Sequence, residues 1–169
     1  MANKVLSSGF VRAVNTCTVG TAPTNAETCV IGSKTYTFRA TLGTLDGSIR
    51  VRATTAFTAA DLAAAINLTG TAGTTYGLNM TKHPSVYAVD NGNSTVTIKA
   101  KVFGEVGNSI ACTVSTSIAG WAAAAMANGA GGDSYGGIMT AIDTIKSEGQ
   151  INSDVLKKLA DLYVDLTTT

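Results

Sequence analysis

Between Asn15 and Phe38 the chain reads NTCTVGTAPTNAETCVIGSKTYTF, and no other stretch constrains the fold as strongly. Thr, Val and other compact residues alternate in short runs, turn-forming residues break those runs, and charge is nearly absent. β-Branched residues are stiff in helices and pack well on a pleated surface. The stretch therefore predicts short strands over Val11–Val19 and Glu27–Ile31, separated by a turn at Pro23 and Asn25. Gly32-Ser33 predicts a tight turn into a strand over Lys34–Ala40, with Tyr36 and Phe38 on one face and Thr35 and Thr37 on the other.

The same pattern continues downstream. Asp46-Gly47 signals a turn into Ser48–Ala53, where Ile49 and Val51 alternate with Arg50 and Arg52. The period then becomes helical: Thr58 is the expected cap of a helix over Ala59–Asn67, with Asp61 in a capping-box position and Gly70 and Gly73 as its stop. Strands return over Ser85–Val89 and Thr95–Val102, flanking Asn91-Gly92, the signature of a type I′ hairpin. Val96 and Ile98 point inward and Lys99 and Lys101 outward. One more strand is expected within Asn108–Ser115.

Gly crowds the segment from Ala127 to Gly137 too densely for helix or strand, so a linker is expected at residues 129–137. Beyond it, Ile138, Met139, Ile142 and Ile145 form one apolar stripe. Val155, Leu156, Leu159, Leu162, Tyr163 and Leu166 form a second, broader one. The expected fold class is α+β and mainly β. It comprises an antiparallel β-sandwich-like core with one inserted helix (residues 1–128), the linker, and a C-terminal helical hairpin (residues 138–169).

Composition narrows the function classes. Charged residues make up 14% of the 169, against a usual quarter, and the formal net charge is +1. No global field steers nucleic acid or an anionic membrane to such a chain. A charge-poor, Thr-rich surface suits strands that another molecule covers. The opening residues lack the apolar run of a signal peptide, and Ile118–Ala127 is too short to span a bilayer, so synthesis and folding in the cytoplasm are expected. Cys17, Cys29 and Cys112 show no C-x-x-C spacing and read as small buried hydrophobes; a Cys17–Cys29 bridge across a hairpin is geometrically conceivable, but a reducing cytosol argues against it.

Residue patterns for catalysis are missing, so no catalytic, cofactor-binding or metal residues are assigned and no cofactor is expected. His83 is the single histidine, with no nucleophile elbow near it, and reads as a loop residue making one hydrogen bond. Asp90-Asn91-Gly92-Asn93 lacks the distal Glu of a calcium loop, and Gly32-Ser33-Lys34-Thr35 lacks the order of a phosphate-binding loop. Candidate partner-binding residues are Arg50 and Arg52, two cations on one strand face, and Trp121 as an anchor. Val155, Leu159, Leu162, Tyr163 and Leu166 complete the candidates as an apolar helical face.

Several small motifs occur in a fixed order: Thr16–Val19 and Glu27–Phe38, then Leu62–Asn67, Gly73–Gly77, His83-Pro84, Thr95–Lys101 and Gly104–Ile110. Together, over about Val14 to Gly132, they resemble a Thr/Val-rich module of tailed-bacteriophage virion structural proteins. The chain departs from that module at Cys17 and Cys29, where valine is usual, and the tail after Gly137 falls outside it. The resemblance implies a non-enzymatic virion component whose partners are further copies of itself, as a homo-oligomer, and the major capsid or tail proteins. Capsid decoration or cementing of the head surface leads these expectations. A tail tube, sheath, neck or fibre subunit is the alternative, and a host-surface adhesion module stands third.

Overall fold

The computed structural model describes residues 11–115 and 120–130. They belong to the first of two units into which the chain divides, Met1–Gly131. The described chain is mainly β with one helix. Its elements run β1 (Val14–Thr18), β2 (Thr28–Ile31), β3 (Lys34–Arg39), β4 (Ser48–Arg50), α1 (Thr55–Asn67), β5 (Val86–Asp90), β6 (Thr95–Ala100), β7 (Cys112–Val114) and β8 (Gly120–Trp121), with a 3₁₀ turn at Glu105–Ser109 before β7. Two four-stranded sheets result, ordered β5–β6–β1–β8 and β4–β3–β2–β7.

Alternation decides which side chains enter the core. Cys17 on β1, Cys29 and Ile31 on β2, Tyr36 and Phe38 on β3, and Val96 and Ile98 on β6 are all buried. One apolar cluster draws on both sheets and on Leu62, Ala65 and Ile66 of α1. Each fully buried aliphatic or aromatic side chain there contributes about 1.5–3 kcal/mol. The helix packs against β5 and β6 of one sheet and β4 of the other, and its alanines permit the close approach.

A second link joins the sheets. Residues 120–127 run between β1 and β7 and hydrogen-bond to both. The Ala122 N–H donates to Thr16 O, and Val14 and Ala127 exchange bonds at 2.8 and 2.9 Å. On the other side, Cys112 N donates to Ala124 O and Met126 N to Ile110 O. The Asn15 side chain adds bonds to Ala123 O and Ala125 O. An Ala-rich run that favours helix by propensity is here held in a bent, non-helical path by two neighbours.

Several sequence expectations need correction. The pairing is not wholly antiparallel: β3 and β4 run parallel, with Phe38 beside Ile49. Gly47 makes this return loop feasible, because its φ is +77° and a Cβ would lie 2.2 Å from Thr35 O. Helix α1 starts earlier than Thr58: Thr54 is the cap, its hydroxyl accepting from Phe57 N, and Thr58 instead bonds back to Thr54 O. Leu68, in the left-handed region at φ 57°, ends the helix before either glycine. The Asn91-Gly92 hairpin forms, but positive φ falls on Gly92 and Ser94 rather than on Asn91, so the turn is not type I′. Strand β4 stops at Arg50 instead of Ala53, and β6 at Ala100 instead of Val102.

Gly129 and Ala130, placed in the linker by composition, are bonded into the unit. Val11 and Ala130 exchange backbone hydrogen bonds, and Asn108 binds both polar atoms of the Gly129 backbone. The rest of the linker and the C-terminal helical hairpin lie outside the described residues.

Candidate interaction surface

The candidate cations are held by internal partners. Arg50 ends β4, and its Nε donates to Thr74 O at 2.6 Å, fastening the loop after α1. Arg52 lies past the strand end and forks onto Asp61 of the helix, at 2.5 and 3.4 Å. The two therefore do not form one strand face, because the strand is shorter than its alternation suggested. Trp121 is half-buried against the core, and its indole N–H donates to Thr113 O across the link between sheets. Val155, Leu159, Leu162, Tyr163 and Leu166 lie outside the described residues.

His83 is a structural post rather than a loop histidine with one bond. Its Nδ1 accepts from the N–H groups of Ser85 and Val86, both at 3.1 Å. That leaves the proton on Nε2, which donates to Ile31 O at 3.0 Å. The ring stacks on Tyr36 at 6.2 Å. Burial lowers its pKa, the Ile31 bond opposes that, and Lys34 and Lys101 add to the lowering. A neutral, fully engaged imidazole ties β2 to the start of β5, and the His83 backbone N–H separately donates to Ile66 O at the helix end.

Asp46 plays a comparable part at the β3–β4 loop. It accepts from Lys34 Nζ and from the Thr81 N–H, each at 2.9 Å, and from the Thr81 hydroxyl. Burial opposes its ionisation, yet these donors outweigh it and hold the carboxyl at about 2. No group of three or more ligating side chains able to hold a metal ion occurs among the described residues. No described helix is long and apolar enough to cross a membrane.

Sequence reading missed the apolar surface at one end of the unit. Val11, Val102, Phe103 and Val106 are each between 44% and 56% exposed. Gly104 draws them together: its N–H donates to Val11 O, and the 3₁₀ turn carrying Val106 follows it directly. The Arg12 guanidinium lies 3.8 Å over the Phe103 ring and 5.8 Å from that of Tyr87. It also donates to the carbonyls of Ala100 and Lys101. The aromatic ring is thus pinned flat by a cation while its neighbours stay exposed. No alternation in the sequence gathers these residues: Val11 precedes β1, and Val102, Phe103 and Val106 follow β6, all of them outside the observed strands.

Against protein-family models, curated proteins and solved structures, the chain finds no match.

Proposed function

We propose that this chain is a non-enzymatic structural component of a tailed-phage virion, a decoration or cement protein that binds the capsid head surface. The ordered motifs from Thr16 to Ile110 support the virion assignment by resemblance. The observation that carries the docking role is the apolar end around Gly104, where Val11, Val102, Phe103 and Val106 face solvent on a surface poor in charge. Exposed apolar groups gathered at one place mark contact sites on otherwise soluble domains. A sandwich-like stacking of the two sheets, with their Thr-rich outer faces covered by neighbouring subunits, belongs to the same reading. The partners are other copies of the chain and the major capsid protein, and neither nucleic acid nor a membrane belongs among them.

The test is co-sedimentation of the purified full chain with phage heads stripped of it. The wild type is expected to pellet with heads at a fixed ratio. Val106→Asp, which places a charge on the exposed apolar end, is expected to weaken that binding at least tenfold while leaving the thermal midpoint within a few degrees. Unchanged binding by this variant removes the apolar end from the account, and rings or tubes formed by the chain alone assign it to the tail instead.

A further inference from the structure

We propose that Asn91 is a self-modification site, where the Asn91-Gly92 pair closes to a succinimide and reopens as aspartate or isoaspartate at the tip of the β5–β6 hairpin. The inference stands on the fold and not on the virion reading. The chain holds two Asn-Gly pairs, Asn91-Gly92 and Asn128-Gly129. Glycine suits this chemistry because no Cβ hinders its nitrogen as it turns toward the preceding side chain. By residue type the pairs are equivalent, and the structure separates them.

Asp90, Asn91 and Gly92 are all exposed, and nothing lies within 4 Å of where a Gly92 Cβ would stand. The Gly92 N–H donates to Asp90 Oδ1 at 3.0 Å. That bond sets a carboxylate on the proton that must leave as the nitrogen attacks, within the reach a general base needs. The Asn91 amide is steadied from its leaving end, where Nδ2 donates to the hydroxyls of Thr95 and Thr97 at 2.8 and 3.0 Å.

The other pair is locked. Gly129 is buried, with Gly104 O 2.1 Å from where its Cβ would stand. Its N–H donates to Asn108 Oδ1 at 2.8 Å, and its carbonyl accepts from Asn108 Nδ2 at 3.1 Å. A neutral amide oxygen accepts a hydrogen bond but does not take the proton, and both bonds must break before this nitrogen can move.

The chemistry needs only water. Asp90 takes the Gly92 proton as the Gly92 nitrogen bonds to Asn91 Cγ, whose carbonyl oxygen becomes an oxyanion. The oxyanion reforms the double bond, the Cγ–Nδ2 bond breaks, and ammonia departs with the proton Asp90 had taken. Water then adds to either carbonyl of the succinimide ring, the bond from that carbon to the Gly92 nitrogen breaks, and the nitrogen regains a proton. Opening at Cγ gives aspartate; opening at the main-chain carbon gives isoaspartate, whose backbone runs through Cβ. One water is consumed, one ammonia is released, and nothing is oxidised or reduced. Either product loses the amide donors to Thr95 and Thr97 and sets a second negative charge beside Asp90.

The experiment ages the full chain at pH 8 in water labelled with heavy oxygen and follows both pairs by peptide mass mapping. Asn91 is expected to convert with uptake of one labelled oxygen, and its product to be a substrate for an isoaspartate methyltransferase, while Asn128 stays intact. In denaturing urea the two pairs are expected to convert at similar rates. Asp90→Ser keeps an acceptor for the Gly92 N–H but no base, and is expected to slow conversion of the folded chain about tenfold. An Asn91 that stays intact in the folded chain, or an Asn128 that converts as fast, overturns the proposal. So does the same preference for Asn91 in urea, or an Asp90→Ser variant that converts at the wild-type rate.

Discussion

Replacing His83 with alanine tests whether the imidazole ties β2 to the start of β5. The substitution strips Ile31 O and the N–H groups of Ser85 and Val86 of their shared partner. Two of those bonds are to buried backbone, and an unsatisfied buried group costs about 1–3 kcal/mol. Loss of the ring's packing on Tyr36 adds to this, for about 3–5 kcal/mol in all. That is a large share of the roughly 5–15 kcal/mol by which a domain is ordinarily stable. Urea unfolding of wild type and variant at pH 8 and pH 5.5 measures both the cost and its pH dependence. Because burial lowers the folded pKa, the neutral ring's contribution is complete above the ordinary value of 6.5. It is lost as pH falls from there toward the lowered folded value, since the unfolded chain binds the proton first. Asp46, held at about 2, lies below this range. With a single histidine in the chain, the variant should lose most of the wild-type fall in stability between the two pH values. A cost below about 1 kcal/mol at pH 8, or an unchanged pH response, refutes the reasoning.

Three further outcomes follow from particular contacts. The Tyr36 hydroxyl is buried with no hydrogen-bond partner, so Tyr36→Phe should be neutral or stabilising by up to about 1–2 kcal/mol in the same urea assay. The Asn67 amide pairs with both backbone atoms of Ala88, at 2.7 and 2.9 Å, acting as a short substitute strand beside β5. Asn67→Ala should cost about 2–3 kcal/mol and speed amide exchange at Ala88 first. A Cβ on Gly129 would lie 2.1 Å from Gly104 O; Gly129→Ala should therefore displace the Val11–Ala130 pairing, read as lost exchange protection at those two amides.

The parts legible in the sequence are those fixed by local alternation. Tyr36 and Phe38 share the buried face of β3 as their spacing requires, and Val96 and Ile98 do so on β6. Helix α1 was legible in its body but not in its start, because Thr54 and Thr58 are equally good caps by type and only the fold selects between them. The parallel pairing of β4 depends on where Gly47 meets the Thr35 carbonyl, a contact between segments that periodicity does not encode. Residues 120–127 were hidden for the opposite reason: their alanines argue locally for a helix, and hydrogen bonds to both sheets overrule them. Arg50 and Arg52 looked like a pair because the strand was read as longer than it is. The apolar end around Gly104 carried no repeating signal, so only the placement of Val11 beside that glycine revealed it.

Strand β1 takes its neighbours from far along the chain, β6 on one edge and β8 on the other. During translation it leaves the ribosome roughly 80 residues ahead of its first mate and about 100 ahead of its second, a wait on the order of 5–20 s at ordinary elongation speeds. The β2–β3 hairpin, closed by two residues, can form as soon as it emerges. The nascent protein thus carries a bare ribbon, open on both sides, through most of its birth, and crowded polysomes are where its misassembly should begin.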